Sequence, residues 1–246
     1  MNINNVTINF WFKELMESPS KKVLELEENL NSLFHNHFMY TDMPPKENIE
    51  IPRVQCISED KKTYFTMSLV SSVLTINVKD MDNDDIILLV NENIQLLYDV
   101  LVDLYGIEVV YASIKVDAVK KDNKVIDKIV KKLSLDKDDY EDLSFKTVKR
   151  VDDTYYECIV INSSKEINFD INVPVANPKQ NDLYTRSMLM STSEANFGNT
   201  LVSINYEIND RLSYNNDKEY RTSKESIRGL IIELKDFIEK RLNKLV

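Results

Sequence analysis

The chain has almost no glycine. Three residues in 246, Gly106, Gly198 and Gly229, stand where average usage would place roughly 17. No two lie close enough for a dinucleotide-binding G-x-G-x-x-G or a Walker A loop, and the G-x-S-x-G nucleophile elbow fails on the same ground. Cysteine is also scarce. Cys56 and Cys158 each fall in a strand-like stretch, with no disulfide framework and no zinc-binding C-x-x-C pair, so two free, buried thiols are expected. The two histidines, His35 and His37, sit near the C-terminal end of a predicted helix, where side chains two positions apart diverge by about 200° and cannot share a metal. Long apolar runs are missing too. The longest, Ile86–Val90, is far short of a membrane span, and MNINNVTINFWF lacks the basic-then-apolar layout of a signal peptide. A cytoplasmic protein without membrane association is expected.

Bases are missing locally. From Asp80 to Glu108 there are eight acids and no base, whereas Lys115, Lys120, Lys121, Lys124, Lys128, Lys131 and Lys132 make the next stretch basic. Residues 1–106 hold 17 acids against 8 bases and residues 107–246 hold 24 against 23, so nearly all of the net charge of −10 belongs to the first part. Such acidity repels phosphate and disfavours nucleic acid as a partner. The ordinary reading of both stretches is solvated faces, or faces that meet across the fold. The functional one is an electrostatic docking patch, with Asp84, Asp85, Glu92, Asp99 and Asp103 as candidate partner-binding residues on one helix.

What is present is a folded composition, 43% hydrophobic and 29% charged, with readable periodicity. Val6, Ile8, Phe10 and Phe12 alternate as one side of a strand over 3–12. Ser18-Pro19 then opens a helix with Val23, Leu26, Leu30, Leu33 and Phe34 on its apolar face, running to about Phe38. Strands are predicted at Ile51–Ile57, Thr63–Val70 and Val73–Val78, and a helix at Asp84–Tyr105 with Gly106 in the left-handed C-cap position. A strand over Ile107–Val119 and a short helix over Asn123–Leu133 follow. Further strands are predicted at Leu143–Val151, Tyr155–Ile161, Ile167–Val173, Thr185–Thr192 and Leu201–Ile208, with Gly198 at a turn or bulge before the last. A closing helix spans Thr222–Leu245, capped by Thr222 with Glu225 at N3. Each part, 1–106 and 107–246, reads strand, helix, several strands, helix. This order predicts an α+β fold of two pseudo-repeated halves in one continuous globular unit, its largely antiparallel sheet carrying the helices on one face.

Two further groups bear on chemistry. Asp136, Asp138 and Asp139 supply the hard oxygen ligands that a divalent cation prefers, yet they lie where a helix N-cap also calls for acids, and no EF-hand glycine accompanies them. The polar stretch Pro174–Ser193 holds Arg186, Met188 and Met190, suited either to a partner or to a plain strand with buried methionines. No cofactor is implied.

The segments VTINFWF, ISEDKKTYFTMSLVSSVLTINV, EVVYASIKVDAV and LVSINYEIND, in that order, resemble in layout a group of sporadically distributed, uncharacterised bacterial proteins of roughly 250 residues. The resemblance runs nearly end to end, and it implies no activity and no catalytic residue. The expected function is a non-enzymatic protein-interaction, assembly or regulatory subunit that binds a protein partner or itself. The asparagine- and lysine-rich vocabulary suggests a bacterial or phage accessory system, of the immunity or counter-defence kind. The alternatives are a divalent-cation-dependent hydrolase or nuclease built on the aspartates, and a nucleic-acid-binding saddle built on Lys115–Lys132.

Overall fold

Alternation of apolar and polar side chains makes β1 (Asn2–Phe12) a strand with one side to bury, and the fold is arranged around it. The computed structural model describes residues 2–15, 17–41, 43, 48–121, 143–168 and 196–245. Contacts group residues 1–119, 145–160 and 204–246 into one unit and 120–144 with 161–203 into a second, whose described residues are strand ends. All that follows concerns the first unit. The expected helix Asn123–Leu133 and strand Thr185–Thr192 lie outside the described residues, as do Asp136, Asp138, Asp139, Arg186, Met188 and Met190.

The remaining described strands are β2 (Met39–Tyr40), β3 (Val54–Ile57), β4 (Thr63–Met67), β5 (Ser71–Asn77), β6 (Val109–Lys121), β7 (Leu143–Val151), β8 (Tyr155–Asn168) and β9 (Asn196–Asn209). They form one sheet in the order β2-β3-β4-β5-β1-β6-β9-β8-β7. β1 pairs antiparallel with both neighbours, placing Ile8 opposite Leu74 of β5 and Ile114 of β6. Read outward from the β1–β6 pair, each side descends through its strands in reverse chain order. The α+β class, the antiparallel sheet and the one-sided helices therefore agree with the pattern of the sequence.

Val6, Ile8 and Phe10 are wholly buried and Phe12 nearly so, each contributing on the order of 1.5–3 kcal/mol by leaving water. Ile3 is buried with them despite its odd position, because a bulge between Ile3 and Asn5 shifts the alternation by one. The helices cover this face: α1 (Val23–Phe34) through Phe34 on Phe65, α2 (Asn83–Tyr105) through Tyr98 beside Phe10, and α4 (Lys224–Asp236) against Tyr155 and Tyr206.

Several boundaries differ from expectation for identifiable reasons. Helix α1 follows a short 3-10 turn (Pro19–Lys22) and stops at Phe34, because His35 adopts a left-handed conformation and Glu27 captures the Phe38 amide at 3.0 Å. Phe38 then folds back onto Phe34 and Phe65. At the closing helix the cap is Ser223, not Thr222, and its reciprocal partner at N3 is Ser226, not Glu225. The Thr222 hydroxyl is committed elsewhere, to Asp210. Helix α4 also ends early, widening into a π turn over Phe237–Arg241 and tightening into a 3-10 turn over Leu242–Lys244. There Arg241 pairs with the carboxylate of Glu157 on β8, and Lys149 of β7 reaches the same carboxylate at 2.9 Å. Strand β8 continues past the expected end at Ile161 to Asn168, most of the expected strand Ile167–Val173 lies outside the described residues, and β9 begins ahead of Gly198. No helix of the described residues is long and apolar enough to cross a membrane.

Gly106 ends α2 at φ +62°, as its position requires. Gly229 answers to a different demand: a Cβ there would lie 1.9 Å from the Tyr155 hydroxyl, which donates to the Ser226 carbonyl at 3.2 Å. Gly229→Ala is therefore expected to destabilise the protein despite gaining about 1 kcal/mol of helix propensity. In a Tyr155→Ala background the same change is expected to turn stabilising. Urea unfolding of the four proteins in this double-mutant cycle measures the reversal.

Candidate functional site

From Asn5 onward, side chains of odd number on β1 point away from the helices, and their register partners share that second face. Across β5, β1 and β6 it carries Thr75, Thr7 and Lys115 in one row and Ser71, Trp11 and Tyr111 in another. Most of these residues are part-exposed. Lys115 lies 3.6 Å from Glu207, and Asn205 donates to Asp117 at 2.5 Å, so β9 continues the same polar surface. Asn9 and Ser113, hydrogen-bonded at 3.1 Å, are its buried centre.

One end of this face gathers aromatic rings and cations. Trp11, the only tryptophan of the chain, stacks on Tyr111 at 4.5 Å between ring centres and 18° between planes. The short helix α3 (Arg211–Asn216) presents Arg211 and Tyr214 three positions apart on one side. The Arg211 guanidinium lies 5.6 Å from the Tyr111 ring, Tyr214 stands 6.1 Å from it, and the Lys218 ammonium sits 4.2 Å over Tyr214. Burial of its ring pushes the Tyr111 phenol above its ordinary range, while the Arg211 charge opposes the shift.

Asp210 sets this geometry. It is wholly buried at the junction of β9 and α3, and its carboxylate accepts from the Ala112 amide at 2.7 Å, Thr222 Oγ1 at 2.7 Å and the Tyr220 hydroxyl at 2.9 Å. The first bond ties α3 to β6 beside Tyr111. The other two draw in the segment leading to α4. Burial raises the Asp210 carboxyl above its ordinary range, the three donors offsetting part of the rise. Nothing in the local sequence marks Asp210 as buried; its main-chain partner is 98 residues away.

The acidic candidates of α2 are strung along its length. Asp84, Asp85, Glu92 and Asp103 are exposed, and Asp99 is paired with Lys224 at 2.7 Å. Asp99 and Asp103 line a groove of about 340 Å³ shared with Asn29 of α1. Neither Asp82 nor any other side chain caps α2. Of the lysines from Lys115 to Lys132, Lys115 is committed to Glu207. A groove of about 530 Å³ at the far end of α2 holds Lys13, Lys21 and Lys22, all engaged: Lys13 with Glu108 at 3.4 Å, Lys21 with Glu17 at 3.2 Å, and Lys22 with the Leu104 carbonyl at 2.6 Å. His35 and His37 do not converge; His37 Nδ1 meets Glu27 at 2.7 Å while His35 ends the helix. Among the described residues no three His, Cys, Asp or Glu side chains are grouped to hold a metal.

Both cysteines are free thiols. Cys56 is wholly buried and its thiol is pushed up to about 11 by burial, whereas Cys158 is only half-buried on the second face. With an aromatic disulfide reagent at pH 8, one thiol per chain is expected to react in the folded protein and both after denaturation. Variants of Asp210 have a signed pH dependence. Because its folded-state pKa is raised, its stabilising contribution is complete below the unfolded value of about 4 and is lost as pH rises through the folded one. Asp210→Asn, which keeps an acceptor for Ala112, is expected to gain stability relative to the parent between pH 4 and 8, measured as urea midpoints. Asp210→Ala is expected to lose about 3 kcal/mol by stranding three donors. No protein-family model matches the chain, and no curated protein matches it.

Proposed function

We propose that the protein is a non-enzymatic interaction subunit that binds a protein partner through the sheet face opposite the helices. The observation that carries this reading is the part-exposed row Trp11–Tyr111–Tyr214 with Arg211 and Lys218 laid against its rings. Tryptophan, tyrosine and arginine are the side chains that dominate binding energy at protein interfaces, and they do so when clustered on a rigid support. Here the support is the central strand pair together with a helix locked to it by a buried carboxylate. The exposed acids of α2, Asp84, Asp85, Glu92 and Asp103, offer a second surface to the same or another partner. An accessory role in a bacterial or phage system fits such a subunit.

The test is co-purification from the native cells with the parent protein and with Arg211→Glu/Lys218→Glu, two exposed changes that leave the sheet intact. The parent is expected to bring a partner, and the variant to bind it at least about tenfold more weakly. Trp11 emission should shift when the purified partner is added. A protein recovered alone and monomeric, or a partner retained equally by the variant, overturns the reading.

A further inference from the structure

The sheet ends differently on its two sides. On one side the last described strand, β2, is two residues long, too short for a ladder. On the other it is β7, nine residues long, with β8 as its only described neighbour. Five consecutive residues of β7, Lys146 to Arg150, are exposed, so no described element covers either side of the strand there. Its outer amides and carbonyls form a ready template for another strand. The charge is one-sided: Lys146, Lys149 and Arg150, with no acid from Leu143 to Val151. Lys149 is used internally by Glu157, while Lys146 and Arg150 have no ion-pair partner among the described residues. By strand alternation Lys146, Val148 and Arg150 share one side, with Val148 57% exposed between the two cations.

We infer that the β7 edge binds an extended acidic segment of a protein partner as an added strand, selecting acidic-x-apolar-x-acidic spacing against Lys146, Val148 and Arg150. The inference rests on the interaction reading above and names one feature of the partner. Backbone pairing supplies affinity, and the alternate side chains supply selectivity. The charge also decides against a second copy of this chain, since pairing β7 with itself sets three cations against three.

The probe is a fluorescein-labelled, end-blocked peptide Thr-Glu-Thr-Val-Thr-Glu-Thr, followed by fluorescence anisotropy at low and moderate salt. Saturable binding is expected, falling at least about tenfold in Lys146→Glu/Arg150→Glu, and absent for the same peptide with lysine in place of glutamate. N-methylation of one alternate set of peptide amides is expected to abolish binding, and of the other set to leave it. No binding, or equal tolerance of both methylated sets, overturns strand addition. If the Lys146→Glu/Arg150→Glu protein still brings down the native partner undiminished, the edge proposal falls while the interaction reading stands.

Discussion

The bond from the Ala112 amide to the Asp210 carboxylate is the constraint on which the described surface depends. It joins a central strand to the helix carrying Arg211 and Tyr214, and the same carboxylate holds Thr222 and Tyr220 ahead of the closing helix. A buried charge without a cation is costly, and three donors are what make it tolerable. Losing any one of them affects two places at once. Releasing Thr222 frees a hydroxyl next to the α4 cap, and releasing the amide frees α3 from Tyr111.

A second anchor is built on the opposite principle. Glu157 is as deeply buried as Asp210 but meets cations, Lys149 and Arg241, and Arg241 also contacts Asp236 and lies over the stacked rings of Tyr206 and Phe237. Here charge is neutralised by charge, and the cations come from an edge strand and from the widened end of α4. The two anchors divide the labour: one orients the aromatic row of Trp11, Tyr111 and Tyr214, the other secures the covering helix to β8 and β9.

Periodicity made β1, α2 and the buried stripe of α4 legible in the sequence, because each has a one-sided apolar pattern that needs only its own residues. What stayed hidden depends on remote partners. Arg53 falls within the predicted strand Ile51–Ile57, yet the strand begins at Val54, and Arg53 is wholly buried and donates to the carbonyls of Asn48 and Ile51. The end of α1 was obscured because its stop is a left-handed histidine, His35, rather than a glycine, and the Glu27 side chain redirects the chain at Phe38. The capping residue was misplaced by one because Thr222 and Ser223 are chemically equivalent until Asp210 claims the first. The aromatic row escaped notice since Trp11, Tyr111 and Tyr214 come together only through strand pairing across about a hundred residues. Of the sites read from charge alone on α2, Asp99 is paired with Lys224 and the other four acids are exposed.

The position of β1 has a consequence for synthesis. It is made before both of its neighbours, whose hydrogen-bonding partners on β5 and β6 arrive 68 and 104 residues later, judged by Thr7–Thr75 and Asn9–Ser113. During translation Val6, Ile8, Phe10 and Phe12 therefore wait roughly 3–14 s for β5 and roughly 5–20 s for β6, at about 5–20 residues per second. Exposure to aggregation is set by that interval rather than by the stability of the finished sheet.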